Sequence, residues 1–78
     1  MYVSVINVKP LDNFKLLLTF ENHENRIFDV KPYLSLGIFK ELNNPNIFNT
    51  VRISFDSIEW INSADIDPEI LYRDSVPA

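Results

Sequence analysis

The chain has 78 residues, 46% of them hydrophobic, and a formal net charge of −4 at pH 7. This length suits a single domain over residues 1–78 and excludes a large multi-layer enzyme. The only glycine is Gly37, which excludes the glycine-rich loops that bind dinucleotides and nucleoside phosphates. An acidic chain without a basic cluster is also a poor candidate for direct binding to nucleic acid.

Cysteine content and hydropathy indicate the compartment. The sequence contains no cysteine, so neither a disulfide framework nor a thiolate metal site is expected. Residues 1–5 lack the basic region and the long apolar run of a signal peptide. No apolar stretch approaches the ~20 residues of a membrane span. We therefore expect a cytoplasmic protein that makes no membrane contact.

The negative charge is concentrated in the last third of the sequence. Residues 56–78 contain six acidic residues and one basic residue, Arg73, whereas residues 1–55 are nearly neutral. Such a segment suits a basic partner, mainly by steering its approach.

Three strands are predicted in the first 30 residues. Residues 2–9 are rich in β-branched side chains and stop at Pro10. Residues 14–21 form the clearest strand, because large apolar side chains occupy every second position. The polar break at residues 22–25 returns the chain into a third strand over residues 26–30. These segments predict an antiparallel meander.

The hydrophobic period changes after the third strand. Three side chains spaced by four predict one helical face: Leu34, Ile38 and Leu42. We expect a single turn at residues 32–35, a helix over residues 37–43 and one further turn over residues 45–50.

The strand pattern resumes in the last third. Residues 51–55 and 58–61 predict a hairpin with a tight turn at residues 56–57. A helix start follows, with Asp67 at the N-cap and Pro68 at the first helical position. The order β-β-β-α-β-β with a C-terminal helical turn predicts an α+β fold, in which one small antiparallel sheet packs against one short helix.

Asp65, Asp67 and Glu69 form the sharpest acidic pattern. Oxygen ligands at alternate positions suit calcium or magnesium. However, a calcium loop needs a glycine that is absent here, and Pro68 stiffens the centre. Capping by Asp67 accounts for the pattern without metal, so we expect no cofactor, no metal and no catalytic residue. Binding of a small ligand or divalent metal at these three residues is the alternative.

Two other residues could serve binding or structure. Trp60 is predicted to be a core residue, and the alternative is an aromatic recognition surface with Tyr33 and Tyr72. Asp29 lies inside an apolar strand, so its carboxylate must face solvent or accept hydrogen bonds. We expect it to cap the turn that begins at Pro32, with a functional role as the alternative. His23, the only histidine, is predicted to be an exposed turn residue.

Most of the chain carries a family pattern. The pattern comprises residues 14–20, 28–34 and 37–42, then Phe48 and Val51, and finally residues 58–60 and 65–72. Its most specific part is Trp60 followed by Asp-x-x-Pro-Glu-x-Leu-Tyr. In this chain the signature positions are Asp65, Asp67, Pro68, Glu69, Leu71 and Tyr72. This array resembles domain of unknown function 2442.

The family's usual turns contain glycine where this chain has His23 and Ser63. We therefore expect Asn22 and Asn62 to bear positive φ in these turns.

The resemblance implies a small bacterial or phage-type α+β domain. Such domains are similar to the N-terminal domain of larger proteins that carry a helix-turn-helix. They also occur beside a second small protein, in arrangements that look like toxin–antitoxin pairs. The family has no assigned catalytic residues, so none is carried over. This chain shows no helix-turn-helix pattern, so any contact with DNA would come from a partner.

These observations favour a non-enzymatic protein-interaction module, either an antitoxin-like subunit or a regulatory partner subunit. The expected partner is the product of a neighbouring gene or a second copy of the chain. We expect the signature segment to serve the fold first, with Leu71 and Tyr72 folding back beside Trp60.

Overall fold

The computed structural model describes residues 3–78. Its strands are β1 (Val5–Leu11), β2 (Lys15–Phe20), β3 (Asn25–Asp29), β4 (Arg52–Ser54), β5 (Ser57–Glu59), β6 (Asp65–Ile66) and β7 (Val76–Pro77). Its helices are α1 (Pro45–Phe48) and α2 (Pro68–Asp74), and its 3₁₀ segments are Asp12–Phe14, Lys31–Tyr33 and Gly37–Asn43. Within this part of the chain no helix has the length and hydropathy of a membrane span.

The first sheet is built on the predicted meander. Its antiparallel strands lie in the order β1-β2-β3-β7. Leu16, Leu18 and Phe20 of β2 are fully buried, which confirms the predicted alternation. β1 continues through Pro10, where the sequence predicted a stop. Proline is tolerated there because β1 is an edge strand. Tyr2, also predicted to be in this strand, lies outside the described residues.

The α+β class is confirmed, but the strands form two sheets where the sequence predicted one. The second sheet has the order β4-β5-β6. Between the two sheets, the Val5 N–H donates to the Asp56 carbonyl oxygen at 3.0 Å. β1 carries a register shift between Val5 and Asn7, next to this bond. A bulge of this kind bends a strand and interrupts its ladder, so the hairpin does not continue the first sheet.

The predicted helix over residues 37–43 is a 3₁₀ segment. Spacing by four therefore does not describe its buried face: Leu42 is fully buried, whereas Ile38 is 45% exposed. Side chains three apart share a face in a 3₁₀ helix, and Phe39 packs against the core together with Leu42. The segment begins at Gly37, whose φ is +45°. The turn predicted at residues 45–50 is confirmed as α1.

Two loops share one geometry and correct the prediction of positive φ. In each loop the asparagine Oδ1 accepts the backbone N–H two residues on, Asn22 from Glu24 and Asn62 from Ala64, both at 3.1 Å. The positive φ falls on the next residue instead, at +71° for His23 and +72° for Ser63. A turn followed by a left-handed residue is the usual form of such loops. The prediction of positive φ at the two asparagines was therefore wrong.

Trp60 lies in a core that both sheets share, as predicted. Its side chain is fully buried, and the indole N–H donates to the Phe48 carbonyl oxygen at 2.9 Å. The ring of Phe39 meets the indole edge-on at 6.4 Å, and that of Phe48 lies at 6.2 Å. Because Trp60 is buried, it cannot contribute to an aromatic recognition surface.

Candidate functional site

The β4–β5 hairpin ends in the most exposed large apolar side chain among the described residues. The sequence predicted a turn at residues 56–57, but Ser54 pairs with Ser57, so Phe55 and Asp56 form the turn. This shift of one residue places Phe55 at the tip with 98% of its surface exposed. Its φ is +55°, an uncommon value for a bulky side chain. The phenyl ring therefore adds almost no buried apolar surface to the fold, although the backbone of Phe55 adopts an energetically unfavourable conformation.

A groove lies beside this tip. It has a volume of about 380 Å³ and is lined by residues 54–58 of the hairpin and residues 65–68 of β6 and the start of α2. Within residues 3–78, the ionisable residues that line it are all acidic: Asp56, Asp65 and Asp67. We call it the acidic groove.

The structure of the second sheet explains where these side chains lie. Ile53, Ile58 and Ile66 occupy one row across the three strands, and Ile58 and Ile66 are buried. Successive side chains point to opposite faces of a sheet. Glu59 and its cross-strand partner Asp65 therefore lie on the other face.

Asp67 is the N-cap of α2, as predicted. Its Oδ1 accepts the Glu69 backbone N–H at 2.8 Å, and Pro68 occupies the first helical turn. An N-cap side chain of this kind satisfies one of the free N–H groups at a helix start. The cap holds the Asp67 carboxylate in a fixed position on the wall of the acidic groove.

The signature residues separate into two groups. Asp65, Asp67 and Pro68 line the acidic groove, whereas Glu69, Leu71 and Tyr72 do not. Leu71 is fully buried in the core. Among residues 3–78 no group of three or more histidine, cysteine, aspartate or glutamate side chains could hold a metal ion.

Tyr72 packs against a different residue from the one predicted. Its ring meets Phe20 edge-on at 5.0 Å, whereas the rings that flank Trp60 are those of Phe39 and Phe48.

Asp29 accepts a backbone hydrogen bond where the sequence predicted a cap, but Val30 and not Asp29 is the N-cap of the Lys31–Tyr33 segment. Its Oδ1 accepts the Lys31 backbone N–H at 3.0 Å, at the start of the Lys31–Tyr33 segment. The residue is exposed and is not among those that line the acidic groove.

Arg26 organises a second polar cluster, which the sequence analysis missed. Only 14% of its side chain is exposed, and it donates to Ser75 Oγ at 2.8 Å and to the Ser75 carbonyl oxygen at 2.7 Å. Its guanidinium lies 4.7 Å from the centre of the Tyr72 ring. The available signal was a single arginine inside a predicted apolar strand, because such a charge needs partners.

Glu24 completes the Arg26 cluster. Its carboxylate accepts a hydrogen bond from the Tyr72 hydroxyl and forms an ion pair with Arg26 at 3.1 Å. The hydrogen bond from Tyr72 is the largest cause that lowers the pKa of the Glu24 carboxyl, followed by that from Asn22. The cluster ties α2 and the segment after it to β3, so we assign it to the fold.

A second cavity lies at the other end of β1. It has a volume of about 210 Å³ and is lined by residues 11–14 together with Pro45, Phe48 and Asn49. Asp12 is the one ionisable residue in the part of its lining that the structure describes. Apolar and amide groups dominate its lining, so it provides less charge for recognition than the acidic groove does.

Comparison with known proteins identifies the family and nothing finer. The family described as "Protein of unknown function (DUF2442)" matches residues 5–77. The chain belongs to this family. No curated protein and no solved structure gave a significant match.

Proposed function

We propose that this DUF2442 domain is a non-enzymatic protein-interaction module, an antitoxin-like or regulatory subunit that acts by binding another protein. The observation that carries the proposal is Phe55, which is 98% exposed at a hairpin tip beside the acidic groove. Single exposed hydrophobic side chains are common on proteins. Phe55 differs because its ring stands at the rim of a concave surface, and aromatic side chains are enriched at protein interfaces.

Further apolar surface adjoins the tip. The Val5 N–H donates to the Asp56 carbonyl oxygen. Val5 precedes Ile6 and Asp56 follows Phe55, so this hydrogen bond brings the backbone next to Ile6 close to the hairpin tip. Ile6 is 53% exposed, and Ile53 in the same hairpin is 37% exposed. An interface centred on the tip would therefore bury several apolar side chains, which is the main favourable contribution to most associations.

The proposal includes a setting and a partner. We place the protein in the cytoplasm, and the partner is the product of a neighbouring gene or a second copy of the chain. The protein acts by occupying its partner and not by chemistry on a substrate.

Co-expression with the product of the neighbouring gene tests this proposal. A tagged wild-type chain should retain that product through size-exclusion chromatography, and Phe55→Ser should lose it. Ile61→Ser is the matched control, because Ile61 is 64% exposed and lies beyond the opposite end of β5. If the wild-type chain retains no partner and also sediments as a monomer, the proposed function is wrong.

The alternative is a small-ligand or divalent-metal protein that uses Asp65 and Asp67 of the acidic groove, without Glu69, which does not line it. One observation favours it: Asp65 and Asp67 line the same groove. Calorimetric titration with calcium, magnesium and manganese tests this alternative. Saturable heat, lost in Asp65→Asn, would support it, and the absence of heat and of a thermal shift would remove it.

A further inference from the structure

We infer that the acidic groove binds a basic segment of the partner protein that carries a bulky apolar side chain, with Phe55 as the apolar contact. This inference rests on the proposed function and specifies its surface and the chemistry of its ligand. The groove offers an exposed aromatic ring at one rim and carboxylates along its walls. A matching segment therefore carries lysine or arginine on either side of an apolar residue.

The charge of the groove selects the sign of the occupant. Among the described residues, those that line it include Asp56, Asp65 and Asp67 but no lysine, arginine or histidine. The two arginines in residues 52–78 each have an acidic partner. Arg52 lies 3.4 Å from a Glu59 oxygen. Arg73 lies 2.9 Å from an oxygen of its own neighbour in the chain.

The same charge argues against two other occupants. A second copy docked through this groove would bring two sets of carboxylates together, and like charges across an interface oppose binding. A nucleic acid would bring its phosphates against the carboxylates, whereas its affinity depends on cations that neutralise phosphate. A basic protein segment is the occupant that the charges favour.

The backbone on both sides of the groove is constrained by local structure. The capping bond uses Oδ1 of Asp67, which leaves Oδ2 for an ammonium or guanidinium group. Pro68 fixes the backbone next to this carboxylate. Phe55 is held at the tip of a two-residue turn between paired serines. A backbone that is already constrained loses less entropy when it binds a ligand.

A pair of labelled peptides tests the inference. The probe is fluorescein-labelled Lys-Phe-Lys-Leu-Lys-Phe-Lys, called the lysine peptide, and its control has glutamate at every lysine position. Fluorescence anisotropy should show saturable binding of the lysine peptide to the wild-type chain. Binding should weaken with added salt, because exposed charges are screened. The glutamate peptide should not bind.

Matched variants locate the binding. Phe55→Ser and the double variant Asp65→Asn with Asp67→Asn should each weaken binding of the lysine peptide about 10-fold or more. Asparagine retains the helix cap, so the double variant removes charge and leaves α2 intact. The controls Ile61→Ser and Asp12→Asn should bind as the wild type does. Circular dichroism of every variant confirms that it is folded.

Several results would overturn the inference. Equal binding by all variants would mean that the peptide senses only the net charge, and absence of wild-type binding would mean that the groove has another use. A wild-type dimer that Phe55→Ser dissociates would make a second copy the occupant. If the Phe55→Ser chain still retains the co-expressed partner, the interaction function stands and the assignment to this groove fails.

Discussion

His23 and Ser63 show how the residue at one position of a turn changes the stability of that turn. Both adopt positive φ in loops of the same geometry, closed by equivalent asparagine bonds. A residue with a Cβ atom is disfavoured in this conformation by about 1–2 kcal/mol, whereas glycine is not. Both positions hold a residue with a Cβ atom, so the chain carries this cost twice.

Substitution of either residue by glycine should stabilise the protein. We expect His23→Gly and Ser63→Gly each to raise the free energy of unfolding by up to about 1 kcal/mol, because part of the gain is offset by the greater freedom of glycine in the unfolded chain. Urea denaturation measures this effect. Asn22→Gly is the control and should destabilise, since it loses the bond to the Glu24 N–H. A stabilising Asn22→Gly beside a neutral His23→Gly would contradict the assignment of φ.

Asp67 has a structural role that separates from its charge. Asp67→Ala should lower the free energy of unfolding by about 0.5–2 kcal/mol through loss of the cap on α2. Asp67→Asn should remain close to the wild type, because an amide oxygen caps equally well. Thermal denaturation of the three proteins compares them directly. If both variants lose the same stability, the carboxylate charge and not the cap stabilises the helix.

At the scale of elements, α2 is attached to the first sheet by both apolar and polar contacts. Leu71 enters the core, while Tyr72 packs on Phe20 and donates to Glu24. Arg26 then joins Ser75 to β3, next to the pairing of β3 with β7. This end of the chain therefore belongs to the fold, whereas the start of α2 faces the acidic groove.

The Glu24–Tyr72 bond predicts a pH dependence. The hydrogen bond lowers the pKa of Glu24 below its ordinary value of 4.5. A carboxyl with a lower pKa in the folded state contributes stability that is present above the unfolded pKa and lost as the pH falls through the folded pKa. Tyr72→Phe should therefore be less stable than the wild type near neutral pH, and the difference should narrow as the pH falls below the ordinary Glu24 pKa of 4.5. Urea denaturation across this pH range measures both proteins.

Glu24→Gln serves as the control for this pH dependence. This substitution removes the titrating group. When Tyr72→Phe is added to Glu24→Gln, the resulting change in the free energy of unfolding should therefore stay the same over this pH range. Tyr72→Phe could instead lower the free energy of unfolding equally at low and neutral pH. The hydroxyl would then stabilise the fold through packing and not through its hydrogen bond to the Glu24 carboxylate.

At the scale of the whole molecule, local patterns in the sequence predicted local structure well. Alternation in β2 and the Asp67-Pro68 helix start are signals within a few residues, and the structure confirms both. The separation into two sheets was not predictable, because it depends on where the hairpin meets β1 near Val5. Spacing by four also failed over residues 37–43, since the 3₁₀ segment buries side chains three apart.

The candidate site was predicted only in part, for the same reason. Asp65 and Asp67 were predicted as candidate site residues from their spacing along the chain, and both line the acidic groove. Phe55 was not predicted to be part of the site. The sequence pattern assigned it to the strand over residues 51–55, and the alternation of apolar residues does not show which residues form the turn of a hairpin. A shift of one residue in the turn changes this side chain from a strand residue to the most exposed point of the surface.

The binding surface is tested most directly by locating the residues of the isotopically labelled chain that contact the lysine peptide. Backbone amide NMR signals should be recorded during titration with the lysine peptide. The largest shift changes should occur in residues 54–58 and 65–68, and residues 11–14 at the second cavity should change little. Largest changes at residues 11–14, or small changes spread evenly over the surface, would contradict the claim that the hairpin tip and the acidic groove form the binding surface.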